Sequence, residues 1–101
     1  MRILVFFDLP TETANDRRKY SQFRKFLIKE GFIMMQKSVY TKLALNSSVV
    51  KEVYKRIKKN KPDDGIVQLL AITEKQFQEI EYIVGENTAG VLDSTERLTI
   101  L

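Results

Sequence analysis

The chain has 101 residues, of which 44% are hydrophobic and 30% charged, with a net charge of +4 and neither cysteine nor histidine. That length suits one small domain, near the size at which a single core gains from a second copy. The missing residue types exclude disulfides, thiolate zinc sites, Ser-His-Asp and Cys-His catalysis and histidine-relayed hydrolysis. Any metal must therefore sit on oxygen ligands, which favours hard cations such as magnesium or manganese.

The first element is a strand over Arg2 to Phe7, a run of β-branched and aromatic residues that ends in Asp8 and is closed by Pro10. The start is better used as a strand than as a signal peptide and no apolar run reaches membrane-spanning length, so a cytoplasmic protein is expected. Asp8 is either a turn residue bonded to its own backbone or an acid held rigidly at the rim of the sheet. Thr13, with Asp16 three residues on, makes a capping box for a helix to about Glu30, which Gly31 stops. Tyr20, Phe23, Phe26 and Leu27 share its core face, while Arg18, Lys25 and Lys29 form a basic stripe toward solvent.

Phe32 to Leu43 divides into two short strands around a tight turn at Gln36-Lys37-Ser38. Asn46 or Ser47 caps a second helix over Val49 to Lys59, with Val49, Val50, Val53 and Ile57 facing inward. Lys61-Pro62-Asp63-Asp64-Gly65 is a strong turn, Ile66 to Ile72 a nearly continuous apolar strand, and Thr73 to Gln76 a single helical turn. Alternation over Glu79 to Val84 predicts a further strand, and Leu98 to Leu101 is an apolar tail.

The order strand, helix, strand, strand, helix, strand predicts an α+β, ferredoxin-like βαββαβ domain with an antiparallel sheet and an additional C-terminal strand. We place this domain at residues 1–84 and a C-terminal extension at 85–101. Both helices lie on one face, and the uncovered apolar face predicts a sheet-to-sheet, face-to-face homodimer.

Charge is unevenly spread. Fourteen Lys or Arg stand against two acids between Arg17 and Lys61, and two against eight acids from Pro62 onward. A basic surface of this kind suits a polyanion. Arg17, Arg18, Arg24, Lys25 and Lys29 on the first helix, with Lys37 and Lys42 on the adjoining strands, are candidates for contacts to duplex phosphates, and the second-helix lysines could add to them. No glycine-aromatic pattern for base stacking accompanies them. Ser38 is a candidate for positioning a phosphate through its hydroxyl, although a Ser at a turn is more often structural.

Three motifs stand in order. Phe7-Asp8-Leu9-Pro10 closes the first strand; Gly31 is followed by Gln36-Lys37-Ser38-Val39-Tyr40; Lys61-Pro62-Asp63-Asp64-Gly65 leads into an apolar strand. Together they resemble the CRISPR-associated protein family Cas2, over nearly the whole chain. The resemblance implies a ferredoxin-like homodimer in which the C-terminal segment lies against the partner's sheet. It implies that the two Asp8 side chains meet near the dimer axis and hold one divalent cation, Mg2+ or Mn2+, with Asp8 as metal ligand and catalytic acid of a metal-dependent nuclease. It also implies a dimer that bridges the CRISPR-associated integrase Cas1 and supports the duplex DNA being inserted as a spacer, with the extension docking on the partner protomer or the integrase. The acidic residues Glu79, Glu81, Glu86, Asp93 and Glu96 would then face a basic protein surface. One departure is Met34, where many members carry an Arg. It removes a candidate phosphate or metal-site contact and weakens the case for strong cleavage.

Overall fold

Strand β1 (Arg2–Asp8) is the spine of the domain, because both of its edges are paired. Helix α1 (Ala14–Lys29) carries the chain to strand β2 (Ile33–Gln36), which turns into strand β3 (Val39–Leu43). Helix α2 (Ser47–Lys59) leads to strand β4 (Ile66–Ile72) and the short helix α3 (Glu74–Gln78). The computed structural model describes residues 1–86. The four strands form one sheet in the order β2-β3-β1-β4, with every neighbouring pair antiparallel. This is the ferredoxin-like split βαβ arrangement expected from the order of elements.

Local chemistry sets the boundaries. Thr13 and Asp16 form a reciprocal capping box at the start of α1, with bonds of 3.0 and 3.2 Å. Gly31, with φ of +97°, turns the chain away from the end of α1. Asn46 caps α2, and Thr73 with Gln76 repeats the capping box at α3.

The core lies between the sheet and the two long helices. Ile3, Val5 and Phe7 of β1 meet Phe23 and Leu27 of α1 and Val50, Val53 and Ile57 of α2. Phe7 is its aromatic hub, with ring centroids 5.3 Å from Phe23, 5.6 Å from Tyr40 and 5.7 Å from Tyr20. Edge and offset ring contacts of this kind add to area burial and hold the end of β1 still. The opposite sheet face is apolar but uncovered at its margins. Leu43 and Ile66 are 59% and 58% exposed there, and Leu70 48%.

The segment over Glu79 to Val84 corrects the sequence-based expectation. It forms no strand: Glu79 caps α3, and Ile83 and Val84 stand 87% and 90% exposed in irregular chain. Alternation gives a segment a face, but a strand also needs a neighbour's backbone to pair with, and no other described segment of this chain supplies one. The Leu98–Leu101 tail, Asp93, Glu96 and all but two residues of the 85–101 extension lie outside the described residues.

Candidate functional site

Asp8 stands where β1 leaves the sheet. Its neighbours Phe7 and Leu9 are buried, so the backbone on both sides is fixed while the carboxylate is exposed. Antiparallel register sets Asp8 opposite Ile66, the first residue of β4. On its other side the β2–β3 turn arrives, because the Phe7 amide donates to the Ser38 carbonyl at 3.0 Å. The Tyr20 hydroxyl holds the same turn from α1, donating to the Lys37 carbonyl at 3.1 Å. Phe7, the turn and α1 thereby bring Ser38 to the end of β1 that carries Asp8.

Two clefts meet at this pair. One, of about 320 Å³, opens on the uncovered sheet face between Phe6, Asp8, Ser38, Ile66 and Gln68. The other, of about 500 Å³, runs toward α1 between Asp8, Thr11, Arg17, Tyr20, Lys37 and Ser38. Of the candidates read from the sequence, the structure therefore gathers Asp8, Arg17, Lys37 and Ser38 around one point. Arg17 also braces the loop at the cleft wall, donating to the Thr11 and Glu12 carbonyls at 3.2 and 3.1 Å.

The other basic candidates lie elsewhere and differ in what occupies them. Arg24 donates to the Tyr40 hydroxyl at 2.9 Å, satisfying a polar atom on a fully buried ring. Lys42 donates to the Glu30 carbonyl, and its stem lies beside Gly31, so it caps the end of α1. Arg18 bonds the Asn15 amide oxygen at 2.6 Å. Lys25 and Lys29 are exposed and make no hydrogen bond or ion pair to the described residues, and the same holds for Lys51, Lys55, Lys58 and Lys59 on α2.

The donor set decides what a cation would find here. Among the described residues no group of three or more His, Cys, Asp or Glu side chains could enclose a metal. One exposed carboxylate, with Ser38 lining the same two clefts, fits a hard, largely hydrated cation, and fits it weakly. A second copy that brings its own Asp8 would complete a stronger site, since two close carboxylates repel unless a cation neutralises them. Asp64, in the α2–β4 turn, accepts from the Gly65 amide at 2.8 Å.

Sequence reasoning missed Gln68, the one strongly polar residue in an otherwise apolar β4. A lone polar residue inside an apolar run is the signal that marks such a position. No helix among the described residues is long and apolar enough to cross a membrane.

Known proteins resemble this chain closely. The sequence model of the family described as CRISPR associated protein Cas2 matches residues 1–80. A protein of Treponema denticola named CRISPR-associated endoribonuclease Cas2 is 52% identical over 101 residues, covering 100% of both chains. One of the same name from Streptococcus mutans serotype c is 48% identical, over 100% of this chain and 93% of that one. In three dimensions, the crystal structure of Streptococcus pyogenes Cas2 at pH 6.5 superposes with a TM-score of 0.63 at 17% identity, over 84% of this chain and 100% of that one.

Proposed function

We propose that this chain, which belongs to the family of CRISPR associated protein Cas2, works as a homodimeric, DNA-supporting subunit of the spacer-acquisition complex. In this reading the dimer bridges integrase dimers of Cas1 and holds duplex DNA by its phosphates. The observation that carries it is the contrast between an exposed run of basic side chains without partners among the described residues and a site for chemistry that holds a single acid. Phosphate contacts position a duplex without reading its sequence, which is what a support requires. Leu43, Ile66 and Leu70 give the uncovered sheet face the apolar character of a homodimer contact.

A second reading is a divalent-metal-dependent endonuclease acting on RNA or DNA. It draws on the two clefts that share Asp8 and Ser38 and on the endoribonuclease names of the curated relatives. Asp8 would hold the cation, which supplies polarisation of a phosphate and a more acidic water. Ser38 would donate its hydroxyl to a phosphate oxygen, while Lys37 and Arg17 offset the phosphate charge. Each chain supplies one Asp8 and, among the described residues, no further acid cluster, so this cleavage would be slow.

The test is duplex binding by the full-length protein across a range of salt, with sedimentation of the same samples to read the dimer. Arg18→Glu, Lys25→Glu and Lys29→Glu together should weaken binding at moderate salt by about 100-fold and lower the salt slope by about 2.7, at roughly 0.9 per phosphate contact. Asp8→Ala should bind duplex as the parent does. An unchanged affinity and slope in the triple variant would refute the DNA-supporting reading, and magnesium-dependent cleavage lost in Asp8→Ala would favour the second. A monomeric mass would refute the homodimer.

A further inference from the structure

The Lys61-Pro62-Asp63-Asp64-Gly65 turn has no part in either reading of the site, yet it touches the site at its most constrained point. Gly65 has φ of +86°, a conformation that L side chains resist. It also lies hard against the end of β1. A Cβ on Gly65 would come 2.5 Å from the Asp8 carbonyl oxygen, 2.8 Å from Leu9 Cδ2 and 3.1 Å from Leu9 Cα. Two of these three atoms are backbone, which cannot swing aside as a side-chain tip can.

Gly31 separates the two demands. Its φ is +97°, but a Cβ there would meet only the flexible end of Lys42, no nearer than 3.5 Å. Gly31 answers to backbone conformation alone, whereas Gly65 answers to conformation and to the position of Asp8. The turn is also tied to α1 by the Lys19–Asp63 ion pair at 2.9 Å, with side chains 37% and 78% exposed. A pair so open to water holds the turn weakly, which leaves the close approach at Gly65 and the Asp8–Ile66 pairing to hold it against β1. Ile66, the next residue, pairs with Asp8 in the sheet and transmits that fixed position directly.

We propose that Gly65 is a positioning residue for Asp8: its missing side chain lets the α2–β4 turn close on the Asp8–Leu9 backbone and sets where the Asp8 carboxylate stands between its two clefts. The proposal rests on Asp8 as the metal ligand. It assigns a task to the third sequence motif, which otherwise reads as a turn.

The experiment uses the full-length protein, with Mn2+ binding followed by electron paramagnetic resonance, amide shifts by NMR and Tm by calorimetry. The variants are Gly65→Ala, Gly65→Asn, Gly31→Ala and Asp8→Ala. Asn tolerates positive φ better than Ala does, so Gly65→Asn keeps the Cβ contact when Gly65→Ala is too strained to fold. Both Gly65 variants should bind Mn2+ about tenfold or more weakly, as losses in the shell around a ligand do, with the Asp8 and Leu9 amides displaced. Gly31→Ala should lower Tm while leaving Mn2+ affinity within about twofold of the parent, since its strain is remote from the ligand. Where Asp8→Ala loses Mn2+ affinity, a folded Gly65→Asn with parental affinity overturns the proposal, whether or not the amides shift. Parental affinity in Asp8→Ala overturns the metal reading instead, and the Asp8 and Leu9 amide shifts of Gly65→Asn then decide the positioning claim alone.

Discussion

The polar residues flanking the two ends of β1 are used in opposite ways. At the foot, where β1 begins, Arg2, Lys42 and Arg56 are bound to neighbouring elements. Arg2 forms a two-bond pair with Glu74, at 2.5 and 3.1 Å, and stacks its guanidinium 4.2 Å from the centre of the Phe77 ring. Lys42 caps α1 through the Glu30 carbonyl, and Arg56 binds the Glu30 carboxylate at 2.7 Å. At the head, where β1 ends, the Asp8 carboxylate, the Ser38 hydroxyl and the Lys37 ammonium make no hydrogen bond to the described residues. The elements around them are held firmly by Phe7, Tyr20, Arg17 and Gly65 instead. A rigid frame around polar groups left free is the arrangement a binding site needs, whereas a frame made of the polar groups themselves is structural. The difference marks the candidate site without reference to the charge count.

The contrast breaks most easily at the foot. Glu74→Ala strands Arg2, whose side chain is only 13% exposed, and loosens α3. Glu74 is itself 38% exposed, so water softens the loss to about 1–2 kcal/mol rather than the full price of a buried pair. That is a fall in Tm of about 5–15 °C for a domain of this size. Duplex binding at moderate salt should not change. A variant with parental Tm but weakened duplex binding would place Arg2 or Glu74 in the nucleic-acid surface and erase the distinction between the ends.

A paired substitution sharpens it. Lys42→Met keeps the apolar stem but removes the donor to the Glu30 carbonyl, a loss of about 1 kcal/mol and about 4–8 °C in Tm, with duplex affinity within about twofold. Lys25→Met should do the reverse: Tm unchanged, duplex affinity down several-fold and the salt slope reduced by about 0.9. Thermal melts and binding titrations of the two variants side by side read both. If they behave alike, hydrogen-bond occupancy in the free chain says nothing about which lysines meet phosphate.

Much of the fold was legible in the residues because its signals are local. Thr13 with Asp16 and Gly31 announce where α1 starts and stops, and the β2–β3 turn, at Lys37 and Ser38, falls within the expected Gln36-Lys37-Ser38. Asp8 was legible as an acid at a strand exit, but its two alternatives could not be separated there. In the structure it is exposed between two clefts and its carboxylate makes no turn bond to its own backbone, which is why the proposed reading takes it as a site residue. What the sequence hid is pairwise and long-range. Nothing in Lys42 distinguishes it from Lys25 until β3 brings it beside the end of α1. Nothing in Gly65 distinguishes it from Gly31 until the register of β4 lays it on Asp8. The segment over Glu79 to Val84 failed for the same reason, because alternation reports a face and not the neighbour that a strand requires.

The smallest expected effect is at the head of the domain, in the Lys19–Asp63 pair. The hydrogen bond from Lys19, and then its charge, hold the Asp63 carboxyl below the ordinary carboxylate range. The same bond and charge raise the Lys19 ammonium above the ordinary lysine value. Asp63 is therefore more acidic folded than unfolded, so its contribution is complete above the unfolded carboxylate pKa and is lost as pH falls through the lowered folded value. Lys19 runs the other way: its contribution is complete below the unfolded lysine pKa and is lost as pH rises through the raised folded value. Across neutral pH both charges are present and the tether is closed. Because the two groups are exposed, screening keeps the effect small. Asp63→Asn should shift Tm by no more than about 3 °C at neutral pH in low salt, and by less in high salt. The difference from the parent should vanish in acid, where Asp63 is protonated in both states. If packing at Gly65 holds the turn, Asp63→Asn also leaves the Asp8 and Leu9 amides where they are. Amides that move in Asp63→Asn as far as in Gly65→Asn would mean that the ion pair, not the glycine contact, sets the position of the acid.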